Sequence, residues 1–213
     1  MRFAEVERAV DAAGLTILGT APEGSGIVVL LGLSREGWDV FASSPEKADG
    51  EPDPLDRWSQ RIVGALGERL NAEPLFPFGG PPYQPFMRWA AATGIMWPSP
   101  LGMSIHRDHG LWMSFRGALG FAALDGITET PVGRPCDGCA SRPCLKACPV
   151  DAFDGTRYDV DRCAAHVASP EGAACRERGC LARRACWVGQ GWVPEPNRAS
   201  FHMRAFLRAR GET

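Results

Sequence analysis

A mixed α/β or α+β domain over residues 1–128, followed by a cysteine-bound module over residues 129–213, is the fold that this sequence predicts. Three observations carry the prediction. Helical and strand periodicities are mixed through about the first 125 residues. All eight cysteines fall in one stretch, Cys136 to Cys186. The 45% hydrophobic content, with seven tryptophans in 213 residues, is enough to bury a core well beyond what a cysteine loop needs.

The elements follow in chain order. Phe3 to Ala13 repeats its apolar residues at helical spacing and ends at Gly14, so it reads as an amphipathic helix, with a short strand after it at Leu15 to Gly19. The unbroken run Ile27 to Leu33 is rich in β-branched residues, which predicts a buried central strand. Pro54 opens a second helix with Asp53 as N-cap. Its stripe of Leu55, Trp58, Ile62, Leu66 and Leu70 should pack on the sheet. Leu75 to Pro85 holds four prolines and a Gly-Gly pair, the pattern of a rigid loop, and leads into a short helix at Phe86 to Thr93. Met103 to His106 and Leu111 to Ala123 read as strands. The last helix, Ala199 to Arg210, offers Phe201, Phe206 and Leu207 for docking and turns Arg204, Arg208 and Arg210 outward.

The cysteines carry the chemistry. The first four read CDGCASRPCLKACP, ending in the Cys-Pro pair that closes ferredoxin-type cluster motifs. Cys136 and Cys139 keep the CxxC spacing and Cys144 to Cys148 keeps the three-residue gap, but four residues separate the pairs where bacterial ferredoxins have two. Cys163, Cys175, Cys180 and Cys186 form a second, less regular set. Eight thiols are what two [4Fe-4S] clusters require. In the crossed pattern, Cys136, Cys139, Cys144 and Cys186 serve one cluster and Cys148, Cys163, Cys175 and Cys180 the other, with swapping within the irregular second set left open. Two four-thiolate zinc ions, four disulfides or idle thiols are the competing readings. The Cys-Pro ending favours clusters over zinc. The N-terminus MRFAEVERAVDAAG lacks a signal core and no apolar run approaches membrane-spanning length, so a reducing cytoplasm and no membrane partner are expected.

Nine basic residues lie between Arg134 and Cys186, in a chain of formal net charge -2. Guanidinium groups near a cluster favour its reduced form, and a solvated helix face explains the same residues equally well. The turn SIHRDHG makes His106 and His109 candidate cofactor contacts, acid–base groups or metal ligands. His166 could replace a cysteine at a cluster, His202 reads as a packing or surface residue, and Trp187, next to Cys186, would shield a cluster from water. No GxGxxG follows a strand and no GxxxxGK[ST] is present, so the sequence gives no support for a nucleotide site.

The segment GIMWPSPLGMSIHRDHGLWMSFRGALGF, followed by CDGCASRPCLKACPVDAF and YDVDRC, resembles the epoxyqueuosine reductase family, and the similarity extends from about Val6 to Gly189. Gly94, Trp97, Ile105, His106, Gly110 and Trp112 match the family pattern. The resemblance implies an N-terminal domain related to nitroreductase-like and cobalamin-processing folds, with cobalamin as its cofactor. It also implies a ferredoxin-like module whose two [4Fe-4S] clusters deliver electrons for removal of the epoxide oxygen of epoxyqueuosine in tRNA. This chain departs from the family in its chemistry. Ser99-Pro100-Leu101 stands where the family has Gly-Lys-Asn, Gly80 falls where the family has a catalytic aspartate, and Phe86 replaces a second acid. No Asp or Glu occurs between Glu73 and His106. The C-terminal helical repeats that grip tRNA are missing, so tRNA is not the expected partner. The expectation is a relative that kept the fold and the electron-transfer module and passes single electrons to a small cofactor or to a redox partner protein. A cobalamin-dependent reductase of another substrate and a zinc or cluster adapter without redox duty are the alternatives.

Overall fold

A computed structural model describes residues 1–128 and 132–211 of the chain. The boundary expected between residues 128 and 129 runs into residues 129–131, which lie outside the described residues. The chain is mixed α+β with small antiparallel sheets. It divides into two compact units, Met1–Met96 with Met113–Val132, and Trp97–Trp112 with Gly133–Thr213. A division in chain order leaves Trp97–Trp112 in the first domain. Among the described residues no helix is long and apolar enough to cross a membrane.

In the first unit, α1 (Phe3–Ala12) buries Phe3, Val6, Ala9 and Val10 along one face and stops before Gly14, whose φ is +74°. β1 (Leu15–Glu23) and β2 (Gly26–Leu33) form a hairpin in which Glu23 faces Gly26 across a two-residue turn, with Gly24 at φ +56°. β1 runs past its expected end at Gly19. A bulge between Ile17 and Gly19 breaks the period of two on which that reading relied. Two short helices follow that the sequence reading did not single out, α2 (Arg35–Ala42) and α3 (Pro45–Ala48). Their signals were the caps: Ser34 Oγ accepts from Gly37 N at 2.9 Å and Ser44 Oγ from Lys47 N at 3.3 Å.

The long helix is α4 (Pro54–Leu70). Asp53 occupies its N-cap position but has φ +50° and makes no side-chain cap, so Pro54 at the first turn defines the start. Leu55, Trp58, Leu66 and Leu70 are buried as expected. Val63 takes the place expected for Ile62, which is only half-buried, a rotation of one residue about the helix axis.

The chain continues through β3 (Glu73–Leu75), α5 (Phe86–Ala92), a two-stranded sheet of β4 (Met96–Pro98) and β5 (Ser104–His106), and β6 (Phe115–Phe121). The strand expected over Leu111 to Ala123 is paired only within β6; Leu111 and Trp112 are buried in the second unit instead.

The four-stranded sheet has the order β1-β2-β6-β3, so Ile27 to Leu33 is an interior strand. Leu18, Ala21, Val28, Leu30 and Ala118 pack with Phe86, Trp89 and Ala90 of α5 on one face. Alternation sends Val29, Leu31 and Leu119 to the other. There Gly117, which pairs with Leu31, lies under Val63 of α4. Glu23 fastens α5 to β1, accepting from Trp89 Nε1 at 2.7 Å and Arg88 at 2.9 Å. Arg116 of β6 reaches Asp56 of α4 at 3.0 Å, and burial raises the Asp56 carboxyl above its usual range despite that guanidinium.

The second unit is built of turns and short helices: α6 (Pro143–Lys146), α7 (Val160–Ala168), α8 (Ala173–Arg178), α9 (Leu181–Arg184) and α10 (Pro196–Ala209). α10 lies on α7 and α8 through Leu207, Phe206 and Met203. Phe201, an expected docking residue, is half-buried and stacks edge-on against His202. Gly110 (φ +57°) and Gly189 (φ +73°) let two backbones touch: a Cβ on either would overlap the Val188 or His109 carbonyl.

Two helical glycines make opposite demands. A Cβ at Gly37 would overlap the Gly14 carbonyl, whereas one at Gly64 meets nothing within 4 Å. In urea unfolding, Gly37→Ala should cost about 2 kcal/mol or more, from overpacking against backbone. Gly64→Ala should stabilise by about 1 kcal/mol from helix propensity alone.

Candidate metal centres

The eight thiols gather around two cavities. One is walled by Cys136, Cys139, Cys144 and Cys186, together with Ile105, Pro143 and Val188. The other is walled by Cys148, Cys163, Cys175 and Cys180, with Phe153, Val167, Leu181 and Met203. They hold about 340 and 300 Å³ of space between atoms, partly open to solvent. All eight cysteines are free, with no disulfide among them. Among the described residues no three His, Cys, Asp or Glu side chains are placed to hold a single metal ion.

Local structure explains how neighbours in sequence reach different cavities. A turn brings Cys139 N to Cys136 O at 3.2 Å, and Arg142, in the left-handed region at φ +41°, lets Pro143 start α6 with Cys144 in its first turn. In a longer helix Cys144 and Cys148 would share a face. But α6 ends at Lys146, and a turn from Cys148 to Asp151, itself at φ +50°, carries Cys148 to the second cavity. Cys163 comes from α7 and Cys175 from α8; Cys180 precedes α9 and Cys186 follows it. α9 therefore spans the two cavities.

Burial pushes the Cys144, Cys163, Cys175 and Cys186 thiols up, and Cys180 to about 11. Neighbouring thiols add to the rise within each set: Cys186, Cys136 and Cys139 act on Cys144, and Cys148 and Cys175 act on Cys163. Hydrogen-bond donors work the other way. The Leu145 and Val188 amides point to Cys144 and Cys186, the Leu181 amide to Cys175, and the Ala182 and Arg183 amides to Cys180. Ala152 N donates to Cys148 Sγ at 3.3 Å, and the Tyr158 hydroxyl donates to Cys163. Each set thus resists ionising alone yet already has donors aimed at sulfur. That donor set suits a group that brings its own positive charge.

The basic residues divide by role. Arg176 donates to the Val167 and Ser169 carbonyls at 2.6 and 2.9 Å, Arg184 to the Arg178 carbonyl at 2.7 Å, and Arg162 pairs with Asp159 at 3.5 Å. These tie turns together. Arg142 lines the first cavity; Arg183 is half-buried and donates to the Leu111 carbonyl at 3.0 Å. Trp187, expected to shield a cluster, lines the first cavity but is 62% exposed, so it covers that cavity only in part. His166 lines the second cavity. Tyr158 and Arg183 were not singled out as site residues; neither has a spacing that marks it.

His106 and His109 are buried but line neither cavity. His106 Nδ1 accepts from the amides of Asp108 at 2.9 Å and His109 at 3.1 Å, which places its proton on Nε2. His109 Nδ1 is 3.0 Å from the same atom and must be the donor, and its ring lies 3.9 Å from that of Trp192. The pair organises the turn that meets Val188 and Gly189, just after Cys186. Comparison with known proteins finds no protein-family model and no curated protein that matches the chain.

Burial lowers the His109 imidazole from 6.5 to about 4, against the pull of the Asp108 carboxylate. The unfolded chain therefore takes up this proton first. The stabilisation is complete above pH 6.5 and is lost as pH falls towards 4, by about 2 kcal/mol at pH 5. His109→Asn keeps a donor for His106 and does not titrate. Urea unfolding at pH 7.5 and pH 5 should show a smaller difference for this variant than for the parent protein.

Proposed function

We propose that this protein is a single-electron carrier with two [4Fe-4S] clusters. Cys136, Cys139, Cys144 and Cys186 hold one; Cys148, Cys163, Cys175 and Cys180 hold the other. The observation that carries the reading is the sorting of eight cysteines into two cavities of four, with the cysteine of the Cys-Pro pair assigned to the opposite cavity from its three predecessors, as in dicluster motifs. The donor chemistry agrees, since each set has apolar walls, no carboxylate and amide donors at sulfur.

When bound, such clusters gain and lose one electron at a time. The chain's own residues then do three things. The thiolates fix each cluster, the amides of Leu145, Ala152, Ala182 and Val188 offset negative charge on sulfur, and Phe153, Val167, Leu181 and Met203 limit water at the second site. The second unit is read as a ferredoxin-like module in a reducing cytoplasm, where thiols remain free to take iron. The resemblance of Gly94 to Trp112 to epoxyqueuosine reductases supports reading the first unit as related to nitroreductase-like and cobalamin-processing folds, although most of those residues lie in the second unit. The electrons go to a small cofactor of the cobalamin class in that unit or to a redox partner protein. With no acid between Glu73 and His106, a proton donor for epoxide reduction is lacking.

Protein purified without oxygen should show a broad band at roughly 400 nm that bleaches with dithionite, and contain about eight iron and eight sulfide per chain. Cys175→Ser should remove the second cluster and Cys186→Ser the first, each leaving about four iron. A colourless protein carrying zinc would overturn the proposal.

A further inference from the structure

We infer that the mouth of the first cavity, around Trp187, is the docking surface for an acidic protein that donates one electron at a time. The inference rests on the two-cluster reading and adds to it the point of electron entry and the chemistry of the partner. Trp187 follows Cys186 and lines the first cavity, yet it is 62% exposed. Among the described residues it is the only exposed large apolar side chain that lines either cysteine cavity. A tryptophan left this open forgoes one of the largest apolar burials a side chain can make. Pro100, Pro135 and Pro143 line the same cavity. Proline rings have little freedom to lose, so this apolar base is ordered before a partner arrives. An aromatic anchor on a rigid apolar base is what the centre of a protein interface requires.

Charge at this mouth selects the partner. Arg142, in the cavity wall, and Lys146, one turn further along α6, are both exposed, and neither makes an ion pair among the described residues. Between Cys136 and Cys148 the one carboxylate is Asp137, and it lies 3.9 Å from Arg134. Residues 97–112 and 133–211 together carry fourteen Arg and Lys against nine Asp and Glu. An acidic surface is therefore drawn to this face from a distance and held at its rim. A nucleic acid needs a longer basic track than two cations beside an apolar base, so a protein fits this mouth better.

The second cavity is covered where the first is open. Met203 of α10 lines it, and Phe206 and Leu207 of the same helix pack with Val167 and Cys175. Electrons thus enter at the first cluster. The reduced partner loses one electron, the cluster's net charge falls by one, and no bond is made or broken.

The test uses the intact, cluster-loaded protein and, as probe, a plant-type [2Fe-2S] ferredoxin with an acidic surface. Parent, Trp187→Ala and the double variant Arg142→Glu/Lys146→Glu are compared, with iron and sulfide counted in each. In calorimetry, oxidised ferredoxin should bind the parent less tightly as salt is added. It should bind either variant about tenfold or more weakly than the parent. In stopped-flow mixing at low salt, reduced ferredoxin should reduce either variant about tenfold or more slowly than the parent. The methyl viologen radical, a small cation, should reduce Trp187→Ala no more slowly than the parent and the charge-reversed variant faster. If Trp187→Ala loses iron, the charge-reversed variant decides alone. Equal ferredoxin binding by parent and variants would overturn the inference, as would parallel slowing of both reductants at full iron content. Tighter binding of a single-stranded RNA than of ferredoxin to the parent would overturn it too. A parent protein without two clusters would instead sink the proposed function.

Discussion

Each cysteine cavity confines four thiols among proline, aliphatic and aromatic side chains, and burial opposes ionisation of Cys144 and Cys186 in one and of Cys163, Cys175 and Cys180 in the other. The second unit depends on that tension. Its helices are one to four turns long, too short to persist by propensity. α6 and α9, at four residues each, pack on one another because the cysteines at and beside their ends, Cys144, Cys180 and Cys186, face the two cavities. A group that supplied positive charge to the sulfurs would turn the least favourable feature of the unit into its main cross-link, coupling metal binding to folding.

The same constraint explains the support around Cys186. The His106 turn brings Gly110 against Val188 and Gly189, at a distance that leaves no room for a Cβ on either side. Three hydrogen-bond donors converge on His106 Nδ1, so the turn has one tautomer and one shape. Pressed from this side, the backbone after Cys186 presents the Val188 amide to the Cys186 sulfur. The two histidines are thus coupled to the first cavity through backbone contact, without lying in its wall.

Much of this was legible in the sequence where local pattern and tertiary role coincide. The apolar run Ile27 to Leu33 reads as a buried central strand and is one, and the stripe on α4 differs from its expected form by one residue. Cysteine spacing suggested which thiols belong together because a short loop limits which sulfurs can reach one site. What escaped depends on geometry without periodicity. A bulge hid the second half of β1, and α2 and α3 are too short to show an apolar stripe. Met103 to His106 and the start of the run at Leu111 read as strands, yet their apolar side chains pack in the second unit: Ile105 and Leu111, with Leu101, lie around Cys144 and Cys186. Composition cannot say which core an apolar residue joins.

Charge distribution gives the division into units a physical sense. The second unit, over residues 97–112 and 133–211, carries fourteen Arg and Lys against nine Asp and Glu, although the whole chain is slightly acidic. Of those cations, Arg176, Arg183 and Arg184 donate to backbone carbonyls, which uses their hydrogen bonds but does not neutralise their charge. A module of this size with such an excess repels itself. Under the proposed two-cluster reading, thiolate-ligated clusters would carry the opposite sign, and the basic excess that reads as a solvated surface in the sequence would offset it.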